Sequence, residues 1–310
     1  MDATKQEMNN NILYLNEELN NFQTIAENLI PQAEDSPKLE NIDIYGESIH
    51  LAGNVGGDHI AYVDFNKRYD LEERINIAKD TGNFKIAENL EKNKRRAGIL
   101  LADVAGHQTT DSLLAAMLHQ SFFIGALYEL DNNGEITTKL FENINTRFYN
   151  SSSLNKFITM IYGEISNSGK FRFISAAHSA PLLFSNEQDK LVKISEDKIT
   201  NYFPIGIVPS IEDIDKSRSN SVMGFKEKYA VNEIDLMDNK DIMVLYTDGL
   251  SDHANSRGEN YVSRKLESKL KELKEYSSKE IFSGIKDDIL SFNKPEDDIS
   301  YVIIKKNNNL

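Results

Sequence analysis

Four aspartates stand at the ends of short apolar runs. Asp58 follows Gly56-Gly57, Asp103 closes Ile99-Leu100-Leu101-Ala102, Asp248 closes Leu245-Tyr246-Thr247, and Asp297 comes just before Ile299 to Ile304. Runs of this kind suit buried strands with an acid at the exit. Taken singly, such an aspartate is a turn former or a helix cap. A fold that gathers the four exits at one end crowds carboxylates into a small site, where repulsion raises their pKa values unless cations neutralise them. Carboxylates, backbone carbonyls and water suit Mg²⁺ or Mn²⁺. The chain has no cysteine, which excludes thiolate zinc sites and thiol nucleophiles. Two divalent ions about 3.5–4 Å apart can share a carboxylate, lower the pKa of a bridging water and stabilise both oxygens of an in-line phosphoryl displacement. Hydrolysis of a phosphate ester is the reaction such a site does well.

Around these acids the pattern predicts strands at Ile42 to Leu51, His59 to Phe65, Gly98 to Val104, Asp241 to Tyr246 and Ile299 to Lys305. Phe157 to Ile165 and Phe171 to Ala177 are joined by Ser166-Asn167-Ser168-Gly169, a turn of hairpin length. Helical spacing covers Thr109 to Leu130, with Thr109 or Thr110 as N-cap, then Gly134 to Asn150, Glu259 to Leu273 and Ser278 to Asn293. Asp197 to Asn220 reads as a polar loop. Hairpins and separated helix pairs argue for α+β layering, not a doubly wound parallel sheet.

Ahead of these elements, Ile12, Leu15, Leu19, Phe22, Ala26 and Leu29 recur at alternating steps of three and four, the a/d spacing of a coiled coil. Three heptads are marginal alone, so the stripe either pairs with another chain or packs on the body of the protein. The expected organisation is an amphipathic helix and linker over residues 1–37, then a single domain over 38–306. Within that domain a charged, helical insertion spans about 66–97, with nine Lys/Arg and six Asp/Glu. It reads as a solvated insertion or as a docking surface for an acidic partner.

A net charge of −14 repels phosphate backbones and anionic membranes, so neither nucleic acid nor a membrane is an expected partner. The polar start MDATKQEMNNN lacks a secretory layout, and the expected location is the cytoplasm. The longest apolar stretch, Leu113 to Leu130, carries His119, Gln120 and Glu129 and reads as a buried core helix, not a bilayer span.

Six motifs in order carry a family resemblance: Gly56-Gly57-Asp58, Ala102-Asp103-Val104-Ala105-Gly106-His107, Ala176-Ala177-His178 with Pro181-Leu182-Leu183, Phe203-Pro204-Ile205-Gly206, Tyr246-Thr247-Asp248-Gly249 and Asp297-Asp298-Ile299-Ser300. From about Asn41 to Lys305 the sequence resembles the metal-dependent protein Ser/Thr phosphatases (PPM), in their SpoIIE/RsbU-like bacterial branch. The resemblance implies an αββα four-layer sandwich of two antiparallel sheets flanked by helices, here with an added N-terminal helix. It implies two divalent cations, Mn²⁺ or Mg²⁺. Asp103 would bridge them, Asp248 and Asp297 would complete one site, and Asp58 with the backbone carbonyl of Val104 would serve the other. Gly57 and Asp298 would support the site without ligating. His107 is a candidate general acid to the leaving serine or threonine oxygen, with a packing role as the other reading. His178, inside an apolar hairpin strand, reads as a core histidine.

The implied activity is hydrolysis of phosphoserine or phosphothreonine on a regulatory, partner-switching phosphoprotein by a metal-bridging hydroxide, the usual substrates resembling anti-sigma-factor antagonists. A homodimer through Ile12, Leu15, Leu19, Phe22 and Leu29 is expected with it. The alternative is a phosphatase-like regulatory binding module with little or no turnover. A nucleotide cyclase is excluded, because His59-Ile60 stands where Gly-Gly-Asp would be followed by Glu-Phe. The chain departs from the family at Gln108, where glycine is usual, and in its long insertion. No arginine lies between Pro37 and Asp58 to hold phosphate, which makes Lys92 to Arg96 a candidate for that task.

Overall fold

The computed structural model describes residues 2–28, 36–51, 56–106, 111–151, 156–192, 194, 199–218, 221–236 and 238–307. Two five-stranded antiparallel sheets face each other. The first has the order β1 (Ile42–Ile49), β10 (Ile299–Lys306), β9 (Ile242–Tyr246), β6 (Leu182–Ser185) and β7 (Lys190–Val192). The second runs β2 (Asp58–Asp64), β3 (Arg96–Val104), β4 (Ile158–Ser166), β5 (Lys170–Ala176) and β8 (Asn232–Asp235). Helices cover both outer faces, giving the αββα sandwich.

Side-chain alternation along each strand divides the core into three layers. Ile60 and Tyr62 of β2, Ile99 and Leu101 of β3, Ile161 of β4, Met243 and Leu245 of β9 and Val302 and Ile304 of β10 pack between the sheets. The intervening residues point outward. Ala61, Val63, Leu100, Ala102 and Met160 meet one helical layer, and Ile242, Val244, Tyr301 and Ile303 meet the other. Each fully buried Leu or Ile contributes about 1.5–3 kcal/mol relative to exposure. Strands buried on both faces therefore read as continuous apolar runs, which is why β3, β9 and β10 stand out in the sequence.

The helix α1 spans Asp2–Glu27. The insertion folds into α2 (Phe65–Arg68), α3 (Leu71–Asp80) and α4 (Phe84–Asn93), with Asp64 and Asp70 accepting the backbone N–H of Lys67 and Glu73 as N-caps. It is more than a solvated face: Phe65, Leu71, Ile75, Ala78, Ala87 and Leu90 join the outer core. α5 spans Asp111–Asn133 and α6 Thr138–Ser151. Among the described residues α5 is the helix long and apolar enough to cross a membrane. Ala115, Leu118, Phe122, Ala126 and Leu130 seat one of its faces on the second sheet, while Leu113, Met117, Ile124, Leu127 and Tyr128 are exposed. The expectation of a buried core helix thus holds for one face. α7 (Asp248–Ser251) follows β9, and α8 (Glu267–Leu273), entered through a π-type turn at Val262–Leu266, packs with α9 (Ser278–Phe292) over the first sheet. α9 opens with a capping box between Ser277 and Glu280.

The segment read as a polar loop is anchored on α6. Asn145 donates to the carbonyl of Val208 at 2.9 Å and accepts from the Gly206 N–H at 3.0 Å. Glu142 receives Lys226 Nζ at 2.8 and 3.0 Å and the N–H of Tyr229. Lys226 Nζ also lies 3.5 Å from the Tyr229 ring centroid. His178 is buried beyond the end of β5, not within a strand, and its Nδ1 lies 3.1 Å from Thr159 Oγ1.

Candidate metal centre

The end of the sandwich that gathers the acids is built by register. Asp58, the first residue of β2, is paired directly with Asp103 near the end of β3. In the facing sheet, β9 ends at Tyr246 and β10 begins at Ile299, and the two strands pair with Tyr301 opposite Tyr246. Asp248 and Asp297 therefore leave neighbouring strands at the same edge. Thr247 ties the sheets together. Its Oγ1 donates to Asp58 Oδ2 at 2.8 Å and accepts the Ser300 N–H at 3.0 Å.

Two glycines set how closely the backbones approach. A Cβ on Gly57 would stand 2.6 Å from the Gly106 carbonyl oxygen, 2.8 Å from that of Val104 and 3.7 Å from Asp103 Oδ1. A Cβ on Gly56 would collide with the carboxylate of Asp298. Asp298 itself accepts the N–H of Leu51 at 2.7 Å and of Gly57 at 3.0 Å, so it is engaged in holding the Gly57 loop. Carboxylate and carbonyl oxygens thus converge on a space that only glycine leaves open.

The electrostatics have the sign expected of a cation site. Burial first, then the charge of Asp103, pushes Asp58 well above the usual carboxylate range. Burial, followed by Asp248 and Asp297, pushes Asp103 up to about 7. Asp248 is raised by burial and then by Asp297 and Asp252. Carboxylates that resist ionising beside one another are relieved by hard cations with oxygen ligands. No three carboxylate or histidine side chains among the described residues are already drawn into a metal shell, so the fit rests on the chemistry of the donors and on the cradle at Gly57. An open cleft of about 600 Å³ lined by Asp248, Asp252, Asn255, Glu296 and Asp297 leads to this edge. A larger groove of about 710 Å³, between α3, α4 and α5, lies elsewhere and contains none of the four acids.

The structure brings Asp58, Asp103, Val104, Asp248 and Asp297 to one end of the sandwich, with Gly57 and Asp298 beside them. His107 and Gln108 lie outside the described residues, as do Thr109, Thr110 and Leu29. Ile12, Leu15 and Leu19 are exposed along α1; of the side chain of Phe22 nothing is described. The basic run Lys92 to Arg96 is not at the site. Arg96 opens β3 opposite Ser166 and pairs with Glu164, and seven residues of strand place it about 23 Å from Asp103. A histidine pair, His59 buried and His119 half-buried, escaped the sequence reading. His59 Nε2, beside Asp58, lies 2.9 Å from Nδ1 of His119 on α5. Burial first lowers His59 to about 3 and His119 to about 4, which keeps both imidazoles neutral at pH 7. The only hint in the sequence was a histidine breaking the apolar face of a helix.

A family model described as Stage II sporulation protein E (SpoIIE) matches residues 93–307. The chain belongs to the SpoIIE family. The matched SpoIIE region contains Asp103, Asp248, Asp297 and Asp298, while Asp58 precedes it and joins the group through its pairing with Asp103. Three solved structures share the fold. The RsbU and RsbW domains of a Mycobacterium tuberculosis protein are 16% identical with a TM-score of 0.61, over 88% of this chain and 62% of that one. The PP2C domain of Bacillus subtilis SpoIIE with a fragment of its regulatory domain is 15% identical with a TM-score of 0.58, over 87% of this chain and 64% of that one. The SiaA PP2C domain of Pseudomonas aeruginosa is 15% identical with a TM-score of 0.62, over 98% of this chain and 100% of that one. The chain spans under two thirds of the first two. No curated protein sequence matches it.

Gly57→Ala is expected to lower metal-dependent phosphate release at least about tenfold, the scale on which supporting residues act at metal sites. The added methyl must displace the Val104 and Gly106 carbonyls. Steady-state assays over a Mn²⁺ series check this, and wild-type activity in the variant would refute the cradle.

Proposed function

We propose that this chain hydrolyses phosphoserine or phosphothreonine on a protein substrate with two divalent cations, Mn²⁺ or Mg²⁺. The observation that carries the reading is the convergence of Asp58, Asp103, Asp248 and Asp297 on the Gly57 cradle. In this reading Asp103, Asp248 and Asp297 would hold one ion, and Asp58 and the Val104 carbonyl, with Asp103 shared between them, would hold the other. Bound there, the cations supply activated water and stabilise charge on the phosphoryl oxygens. The protein's part is positioning. Thr247 orients Asp58 by donating to its Oδ2, and Asp298 holds the loop through Leu51 and Gly57. His107, directly after Gly106, is the proposed donor of a proton to the departing serine or threonine oxygen.

The substrate we propose is a small regulatory phosphoprotein of the anti-sigma-factor-antagonist kind, acted on in the cytoplasm. The support is the SpoIIE family match and the similarity to RsbU. Release of phosphate from a phosphoserine peptide, and turnover of p-nitrophenyl phosphate, with and without Mn²⁺ test the reading. Metal-dependent turnover supports it. A folded protein inert with every divalent metal, yet retaining the phosphoprotein, would favour a binding module.

We also propose a homodimer through α1. Ile12, Leu15 and Leu19 are exposed by 49%, 63% and 44%, α1 touches α5, and the outward face of α5 is apolar as well. Leu15→Asp with Leu19→Asp is expected to halve the mass in light scattering. An unchanged dimer, or a wild-type monomer, would exclude α1 as the interface.

A further inference from the structure

We infer that Lys156, together with Asp111, is a positioning residue that holds the Val104 to Gly106 backbone in its cation-binding conformation. The inference rests on the two-cation reading above. It starts from the end of β3, where the chain leaves the sheet as Val104-Ala105-Gly106. One side of this segment is fixed by Gly57, whose carbonyl accepts the Val104 N–H at 3.3 Å. The missing Cβ of Gly57 leaves room for the carbonyls of Val104 and Gly106.

The other side is fixed by the start of the β4 hairpin. The Ala105 N–H donates to the Phe157 carbonyl at 2.9 Å. Lys156 Nζ donates to the Ala105 carbonyl at 2.8 Å and pairs with Asp111 Oδ1 at 2.9 Å. Asp111, the first residue of α5, is almost wholly buried, its side chain only 1% exposed. Gly106 lies against this ion pair with φ +118°. A Cβ there would stand 2.6 Å from Lys156 Nζ and collide with the Asp111 carboxylate. The segment is therefore clasped between Gly57 and the Lys156–Asp111 pair.

Several consequences follow from the chemistry. Two of the three ammonium donors are committed to a carbonyl and a carboxylate, which makes Lys156 a clamp on this segment. The Ala105 N–H bond to the Phe157 carbonyl sets the Val104–Ala105 peptide plane, and turning the Ala105 carbonyl toward Lys156 sets the next one, Ala105–Gly106. The Val104 carbonyl is thereby left facing Gly57 and Asp103, where a cation would take it as a ligand. Because Asp111 opens α5, the clamp also couples the seating of that helix to the loop.

Calorimetric titration of Mn²⁺ into the full chain tests this. Lys156→Met keeps the apolar stem and removes the ammonium, and is expected to weaken Mn²⁺ binding about 10–100-fold. Lys156→Arg, which restores donors to both partners, is expected to stay within about threefold of wild type. Removing the cation alone strands a buried carboxylate and can cost folding, so the paired Lys156→Met, Asp111→Asn variant is titrated too. It should be stably folded and as weak for Mn²⁺ as the single variant. A purely structural pair would lower the melting temperature and leave Mn²⁺ affinity untouched, and wild-type affinity in the paired variant would overturn the inference. If wild-type protein itself binds no Mn²⁺, the two-cation reading fails and takes this inference with it. Wild-type binding with unchanged variants defeats the clamp alone.

Discussion

Lys226→Met is expected to destabilise the protein by about 3–5 kcal/mol, the cost of breaking a buried ion pair from one side. The Lys226 side chain is 1% exposed and that of Glu142 4%. Burial lowers the Lys226 pKa, and Glu142 pulls it back. After the substitution Glu142 keeps one donor, the Tyr229 N–H, and is left without its cation. At about 2–4 °C per kcal/mol for a chain somewhat smaller than this one, the melting temperature should fall by about 10 °C. The paired Lys226→Met, Glu142→Gln variant should recover most of the loss, since no buried charge then remains. A single variant as stable as wild type would show that this pair does not anchor the segment on α6.

Asp103→Asn is expected to lower Mn²⁺-dependent hydrolysis by at least about 100-fold, the scale of losing one preorganised electrostatic group at a reacting centre, and Asp248→Asn to do likewise. The same change should stabilise the metal-free protein at pH 8. Folded Asp103 titrates near 7 against an ordinary value of 3.8. Between those values the folded state binds more protons than the unfolded one, so metal-free stability falls as pH rises through that window. Asparagine carries no such penalty. Metal-free Asp103→Asn should therefore melt several degrees above wild type at pH 8 and near it at pH 4. Saturating Mn²⁺ should raise the wild-type melting temperature and leave the variant's almost unmoved. A variant less stable than wild type at pH 8 without metal would mean that Asp103 is not held against its neighbours' charge.

Both main features of the fold were readable where a local signal agreed with the tertiary one. The turn Ser166 to Gly169 joins β4 to β5 as its spacing predicts, with Gly169 at φ +93°. The doubly buried strands announce themselves as apolar runs, and the acids at their exits mark the edge where they gather. Short strands were not readable. β6, β7 and β8 hold four, three and four residues, and what makes them strands is pairing with neighbours that the local sequence does not specify. The segment from Asp197 is the loop it reads as over its described residues, but its anchoring was not readable, since Asn145 carries no periodic signal. Basic character misled at Lys92 to Arg96, because charge says nothing about which end of a strand a residue occupies. His59 with His119, and Lys156 with Asp111, are contacts between separate elements that only the packing brings together.

The most direct test of the metal centre is to count the bound ions. Wild-type protein and Asp103→Asn would be equilibrated with Mn²⁺ by dialysis, and bound metal per chain measured against free metal. Two ions on the wild type, with binding at both positions weakened by the single substitution, is the result expected if Asp103 bridges them. Wild-type protein binding no Mn²⁺, or a variant that still binds two ions at wild-type affinity, would contradict the account.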